Sequence, residues 1–214
     1  MKNSINSFLL LVCFASLTNA QPIYDATGTP APPHSQADDN IPGDLRGGGA
    51  SAPNVVHVIP SPTTNPLDIA FDGQHLWVEG YNEFMLFQIS TVDGSVIRSI
   101  SSTVLRPYGL TFDGTNLWVA DNDNQIIHQI DTADGTILSS FPTPADQNTT
   151  YPGGLAFDGA DLWHNDSKGP FIASQYDSTF KLTTAGNIIQ GHEAKGDYPT
   201  GLAFDGQYLW SSDN

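Results

Sequence analysis

One phrase occurs four times in this chain, and it constrains the fold more than any other feature. It reads Pro66-Leu67-Asp68-Ile69-Ala70-Phe71-Asp72-Gly73, then Pro107-Tyr108-Gly109-Leu110-Thr111-Phe112-Asp113-Gly114. It returns as Pro152-Gly153-Gly154-Leu155-Ala156-Phe157-Asp158-Gly159 and Pro199-Thr200-Gly201-Leu202-Ala203-Phe204-Asp205-Gly206. Each copy runs on into Leu-Trp, at Leu76-Trp77, Leu117-Trp118, Leu162-Trp163 and Leu209-Trp210. The tryptophans stand 41, 45 and 47 residues apart. A period in the forties with glycine and aromatic marks is the signature of a propeller blade.

The second copy displays the blade best. Gly109–Asp113 alternates as a strand. Asp113-Gly114 is a tight hairpin turn, because glycine accepts positive φ without penalty. Asn116–Asp121, Ile126–Asp131 and Thr136–Phe141 supply three further strands, the last two joined through Thr132-Ala133-Asp134-Gly135. Leu110 and Phe112 share one face, as do Leu117 and Val119; Trp118 and Ala120 face the other way. Both faces are apolar, as a sheet sandwiched between neighbours requires. The reading is all-β: four-stranded antiparallel blades in which the tryptophans fill the gaps between blades.

These phrases resemble the blade repeat of NHL/YVTN-type β-propellers, a broad set that includes streptogramin (virginiamycin B) lyase-like and gluconolactonase-like proteins. The resemblance covers about residues 54–214. It implies a propeller fold. It brings no catalytic motif that transfers position by position.

Three segments are expected. Residues 1–20 read as a secretory signal: Met1-Lys2, a short apolar run Phe8–Phe14, and a small residue, Ala20, at the cleavage point. The run is too short to span a bilayer. The single cysteine, Cys13, lies inside it and leaves with it; a lipidated Cys13 is the rival reading. The mature chain is then secreted or periplasmic. Residues 21–53 are rich in Pro, Gly, Ala and Ser and read as a disordered linker. Residues 54–214 hold the blades. The fourth copy stops after its second strand, so about three blades and a partial one are present. Asn54–Pro60 matches a fourth strand by register and is expected to join the last blade. The chain reads as a fragment of a longer propeller; the alternative is that a partner chain or a second copy closes the ring. An open ring leaves a face and an edge on which copies can self-associate.

Charge narrows the partners. Seven Lys+Arg stand against 23 Asp+Glu, a formal net charge of −16. A nucleic-acid binder needs a basic footprint and an anionic membrane surface a basic patch, so neither fits.

Departures from the repeat gather on the rim formed by the loop before strand one and the loop joining strands two and three. The third blade carries seven extra residues around Ser167–Asp177. Asp121, Asp166 and Asp213 end second strands, the first blade has Glu79 there, and Asp68 replaces a repeat glycine. Asp68, Glu79, Asp121, Asp166 and Asp213, if they converge, form an oxygen-ligand set for Ca²⁺ or Mg²⁺; the competing role is binding backbone amides in turns. His164, His192 and Glu193 are candidate acid–base groups. Asp72, Asp113, Asp158 and Asp205 read as turn residues. Asn148-Thr149-Thr150 and Asn165-Asp166-Ser167 are glycosylation sequons, meaningful in a eukaryotic secretory pathway.

Two functions follow. The first is an exported binding or interaction module presenting one rim to a protein, glycan or small molecule. The alternative is a metal-assisted lyase or lactone/ester hydrolase with its site at the central cleft.

Overall fold

The computed structural model describes residues 21–25, 57–81, 83–104, 106–144, 151–167, 178–193 and 199–213. The strands in chain order are β1 (Gln21–Asp25), β2 (Pro66–Phe71), β3 (Leu76–Gly80), β4 (Met85–Ile89) and β5 (Val96–Ser101). They continue with β6 (Pro107–Phe112), β7 (Leu117–Asp121), β8 (Ile126–Ile130) and β9 (Ile137–Pro142). The third copy gives β10 (Tyr151–Phe157), β11 (Leu162–Ser167), β12 (Ser178–Leu182) and β13 (Ile188–Glu193), and the fourth β14 (Pro199–Phe204) and β15 (Tyr208–Asp213). Three sheets are four-stranded in simple order, β2-β3-β4-β5, β6-β7-β8-β9 and β10-β11-β12-β13; the fourth has the order β1-β15-β14. All pairings are antiparallel. The described residues thus form an incomplete β-propeller. None of them forms a helix long and apolar enough to cross a membrane.

Each phrase makes its hairpin for a visible reason. The glycine after Phe-Asp adopts φ of +96° at Gly73, +99° at Gly114 and +97° at Gly159 and Gly206, a region that penalises a Cβ. The aspartate before it caps the turn. Asp113 Oδ1 accepts the amides of Thr115 and Asn116 at 2.9 and 2.7 Å, and its Oδ2 accepts the indole N–H of Trp118 at 2.8 Å. The same tie joins Trp77 to Asp72, Trp163 to Asp158 and Trp210 to Asp205, at 3.1, 2.9 and 2.7 Å. One carboxylate therefore closes the hairpin and fixes the ring that packs on the next sheet.

The core lies between sheets. Trp77 packs with Leu110, Leu117, Val119 and Ile130 of the second sheet. Trp118 packs with Leu155, Leu162 and Leu182 of the third, and Trp163 with Leu209, Leu202 and Phe204 of the fourth. Trp77, Trp118 and Trp163 are buried. Each buried indole removes roughly 150–250 Å² from water.

First strands line the inside and approach very closely. A Cβ on Gly109 would strike the carbonyl oxygen of Gly153, and one on Gly154 the amide of Leu202. Only glycine allows backbones this near. In the first copy Asp68 stands at the same position. Its carboxylate reaches across the seam, Oδ2 accepting the amide of Leu110 at 2.7 Å.

Two expectations about the chain's early part are corrected. Gln21–Asp25 is not unstructured: β1 pairs with β15, Gln21 opposite Ser211 and Asp25 opposite Tyr208. It takes the third-strand place in the last sheet. An open strand edge selects backbone donors and acceptors, whereas the linker reading weighed composition over 33 residues; residues 26–53 lie outside those described. Nor do the described residues of Asn54–Pro60 form a strand of the last sheet. The His57 ring lies 2.8 Å from the carbonyl of Val92, and Pro60 sits against Gly94. Ile59 packs on Leu76, Val78 and Ile89. This segment covers the face of the first sheet turned away from the second. The signal segment, residues 1–20, is also outside the described residues.

Candidate functional site

The four candidate ligands whose side chains are described, Asp68, Glu79, Asp121 and Asp166, do not share one centre. Strand alternation explains the division. Register aligns Trp77, Trp118, Trp163 and Trp210. Gly80, Asp121, Asp166 and Asp213 then occupy equivalent places three residues on, while Glu79 aligns with Ala120, Asn165 and Ser212. Glu79 therefore points to the opposite face from Asp121 and Asp166.

Asp121 is buried and committed. Its Oδ1 accepts the amides of Asp123 and Asn124 at 3.0 and 3.2 Å, and Oδ2 accepts Asn124 Nδ2 at 2.8 Å. His128 Nε2 lies 3.9 Å away. Burial opposes its charge, but His128, Asn124 and the turn amides more than offset that, so its carboxyl is held below the usual range. Asp166 is buried with Oδ2 3.9 Å from His164 Nε2. Asp213 pairs through its backbone with Pro199; its side chain is outside the described residues.

Asp68 and Glu79 form a second group, in the seam between the first two sheets. Asp68 is half-buried, and its Oδ1 accepts the amide of Ile69 at 2.8 Å. Burial raises its pKa to about 7 in spite of its two backbone amide donors. Glu79 is fully buried, and neither carboxyl oxygen has a hydrogen-bond partner. Burial first, and the neighbouring Asp68 second, push its pKa well up. A buried carboxyl without a partner stays protonated. Among the described residues no three His, Cys, Asp or Glu side chains come together as a metal-binding group.

His164 and His192 are separated as well. His164 is fully buried on β11, on the face of Leu162 and Asp166, where Val78 and Val119 stand in the first two sheets. Burial lowers its pKa to about 3, so it is a neutral ring. The equivalent seam of the third and fourth sheets pairs Asn165 with Ser211, Nδ2 to Oγ 3.2 Å. By that register His164 lies opposite Ala120, and a large ring fills the room left by a small one. His192 is on the outer strand β13, opposite Thr179 and therefore on the other face of the sheet, its ring 2.9 Å from Gln190 Oε1. Burial lowers its pKa too. Glu193 ends β13 opposite Ser178; its side chain, and most of the Ser167–Asp177 insertion, lie outside the described residues. Asn165 is buried and bonded to Thr179, Gly201 and Ser211, so its sequon is closed to an enzyme in the folded chain.

Sequence reasoning missed what the rim presents outward. Phe84 and Tyr108 are exposed, Tyr151 opens β10 exposed, and Tyr81 is half-buried. Arg106 joins them: its Nε donates to the Tyr81 hydroxyl at 3.2 Å, its guanidinium lies 5.7 Å from that ring, and Nη1 reaches Asp123 at 3.2 Å. Phe84 has φ of +51°, unusual for a bulky side chain. Its carbonyl accepts the Ser102 amide at 2.7 Å, which pins it. The available signal was an aromatic at Tyr81, where the second copy has Asn122, and at Tyr108, where the third has Gly153. On the opposite rim a shallow cleft is lined by Asp72, His75, Trp77, Gln88 and Phe112. Asp72 there already accepts Gln74, His75, Trp77 and Gln88.

No family model matches the chain, and no curated protein does. Solved structures it resembles include a glutaminyl cyclase of Myxococcus xanthus, with a TM-score of 0.48 and 11% identity over 67% of this chain and 69% of that one. Hydrazine synthase of Kuenenia stuttgartiensis gives a TM-score of 0.43 at 13% identity, over 74% of this chain and 58% of that one. The computationally designed Ika4 protein gives 0.45 at 13%, over 69% and 88%. These are likenesses of chain path. The resemblance to NHL/YVTN-type repeats rests on the repeated phrases alone.

Proposed function

We propose that this chain is an exported β-propeller module that binds a protein or glycan on the rim carrying Tyr81, Phe84, Arg106, Tyr108 and Tyr151. One observation carries the reading. Asp68, Glu79, Asp121 and Asp166 are turned inward or committed to turns, while the same rim presents aromatic faces and a guanidinium to solvent. Aromatic and arginine side chains are the residues that dominate recognition surfaces. Phe84, held in a left-handed conformation by Ser102, is strained in the way that functional surfaces often are.

A Phe84→Ser/Tyr108→Ser double variant tests this on arrays of oligosaccharides and peptides. Wild type retains at least one ligand, and the variant loses it with its melting temperature little changed. A metal-assisted lyase or hydrolase is the second reading, kept by the orphaned Glu79 carboxyl alone. Calcium titration with thermal melting separates the two. The module shifts by less than about 1 °C at millimolar Ca²⁺; a saturable rise of about 5 °C or more reverses the order.

A further inference from the structure

The two ends of the arc of sheets carry matching halves of a joint that the molecule forms three times between its own sheets. At each internal joint the phenylalanine of one phrase packs with the tryptophan of the preceding sheet: Phe112 with Trp77, Phe157 with Trp118 and Phe204 with Trp163. The first phrase has no preceding sheet among the described residues, and its Phe71 is 52% exposed. The last sheet has no successor there. Its Trp210 is only half-buried, whereas the other three tryptophans are buried, and Ala203 opposite it is exposed where Ala70 and Ala156 are buried. Gly201 keeps the glycine that at Gly109 and Gly154 lets the next sheet's backbone approach; a Cβ on it would meet Ser212 and nothing from another sheet. β2 lies beside β6, β6 beside β10 and β10 beside β14, but no comparable contact joins β14 to β2.

The segment before the first phrase marks where a preceding sheet belongs. Pro60 stands six residues before Pro66, as Ser101 does before Pro107. Pro60 lies against Gly94, as Ser101 at the end of β5 lies against Gly135 in the next sheet's turn. Ile59 packs with Leu76, Val78 and Ile89, as Ile100 packs with Leu117, Val119 and Ile130. The link repeats as well: Ser61 Oγ accepts the amide of Thr63 at 3.3 Å, and Ser102 Oγ that of Val104 at 3.2 Å. His57–Pro60 thus takes the place of the outer strand of a preceding sheet, without the three inner strands. The last sheet, β1-β15-β14, has three strands and lacks a fourth. One end of the molecule holds an outer segment without its sheet, and the other a sheet without its outer strand.

We infer that two copies of this chain join end to end, the last sheet of one seated on the first sheet of the other. Trp210 then covers Phe71 of the second copy, Gly201 lets β14 approach the second copy's β2, and the second copy's His57–Pro60 lies along β1. The occupant is a second copy because each end lacks what the other carries, residue for residue as at the internal joints. A head-to-tail contact closes or runs on as a filament; two chains of four sheets each bring eight, within the range at which propellers close. Charge opposes the approach, since each copy carries −16. The seat itself is apolar, so the opposition acts at long range and salt weakens it. This joint is separate from the rim and does not depend on the rim reading.

Sedimentation equilibrium of the full chain tests this. A dimer with Kd below ~100 µM is expected in about 0.5 M salt, weakened about threefold or more in about 20 mM salt, where the like charges are less screened. Phe71→Lys and Ala203→Lys alter one exposed residue on each half of the joint, and each should weaken the dimer about tenfold or more with the circular dichroism unchanged. Both substitutions reduce the net charge, so neither acts by adding repulsion. Mixed together, the two variants associate more tightly than either alone, because one joint of the pair then has both halves intact. Dimerisation shifts the indole emission to the blue, and Trp210→Phe removes the shift. A chain that stays monomeric at about 1 mM in both salts overturns the inference. So does a dimer that the two lysine variants leave intact, or a mixture that associates no more tightly than its parts.

Discussion

Replacing Asp68 by asparagine probes the seam between the first two sheets. Asp68 carries a pKa raised from 3.8 to about 7 by burial. A group raised in this way is protonated in the folded chain and ionised in the unfolded one between those values. Its contribution is fully present below pH ~4 and is lost as pH rises through about 7. The shift of about three units corresponds to ~4 kcal/mol at 1.36 per unit; the residue keeps some exposure, so about 2–4 kcal/mol is expected after discounting for solvent. Asparagine does not titrate, and it can accept only one of the amides of Ile69 and Leu110, at a cost of about 1–2 kcal/mol at every pH. Wild type should therefore be the more stable protein at pH 4 and the less stable one at pH 8.5. In thermal melts, 2–4 kcal/mol amounts to a relative change of roughly 4–12 °C between those pH values. Glu79→Gln is a companion: burial raises the Glu79 pKa well above 4.5, so this variant should gain on wild type as pH rises above about 4.5. A difference between wild type and Asp68→Asn that stays constant from pH 4 to 8.5 refutes the reasoning.

Three further outcomes are expected from urea or thermal unfolding. Trp118→Ala should cost about 3–5 kcal/mol, and Trp210→Ala less, since Trp210 is only half-buried; equal costs contradict the wedge role. Asp158→Ala removes the acceptor for two turn amides, the Trp163 indole and Lys181; a loss of about 2–4 kcal/mol at pH 7 is expected. Burial works against the Asp158 charge, but Lys181 and the other donors win and lower its pKa, so the difference from the variant should shrink as pH falls below ~4. Gly109→Ala drives a methyl into the Gly153 carbonyl and should cost about 1–3 kcal/mol; a neutral result shows that the inner strands can separate freely.

The sheets were legible because the repeated residues have local tasks. Asp113 must cap its turn and hold its indole, Gly114 must turn at positive φ, and Trp118 must bury; none of the three can be exchanged without loss. β1 was hidden because its strand comes from the open edge of β15 rather than from its own composition. The carboxylate cluster was misread by one position. Counting in twos from each tryptophan sets Glu79 beside Ala120 rather than Asp121, and that count was available in the sequence. The seam pair was not: Asp68 shows its role only once the glycines at its equivalent positions are seen to be points of backbone contact. The outward-facing aromatics carry no periodicity, so only coordinates separate Phe84 on the surface from Phe87 against the core.

The bond from each indole to the aspartate five residues earlier spans one hairpin and involves no other sheet. Every unit therefore sets the attitude of its own wedge before it meets a neighbour, much as a stave is planed before the cask is raised. Nothing in that tie counts how many staves there are. A chain built this way can gain or lose whole units by duplication or deletion while each remaining joint keeps its fit.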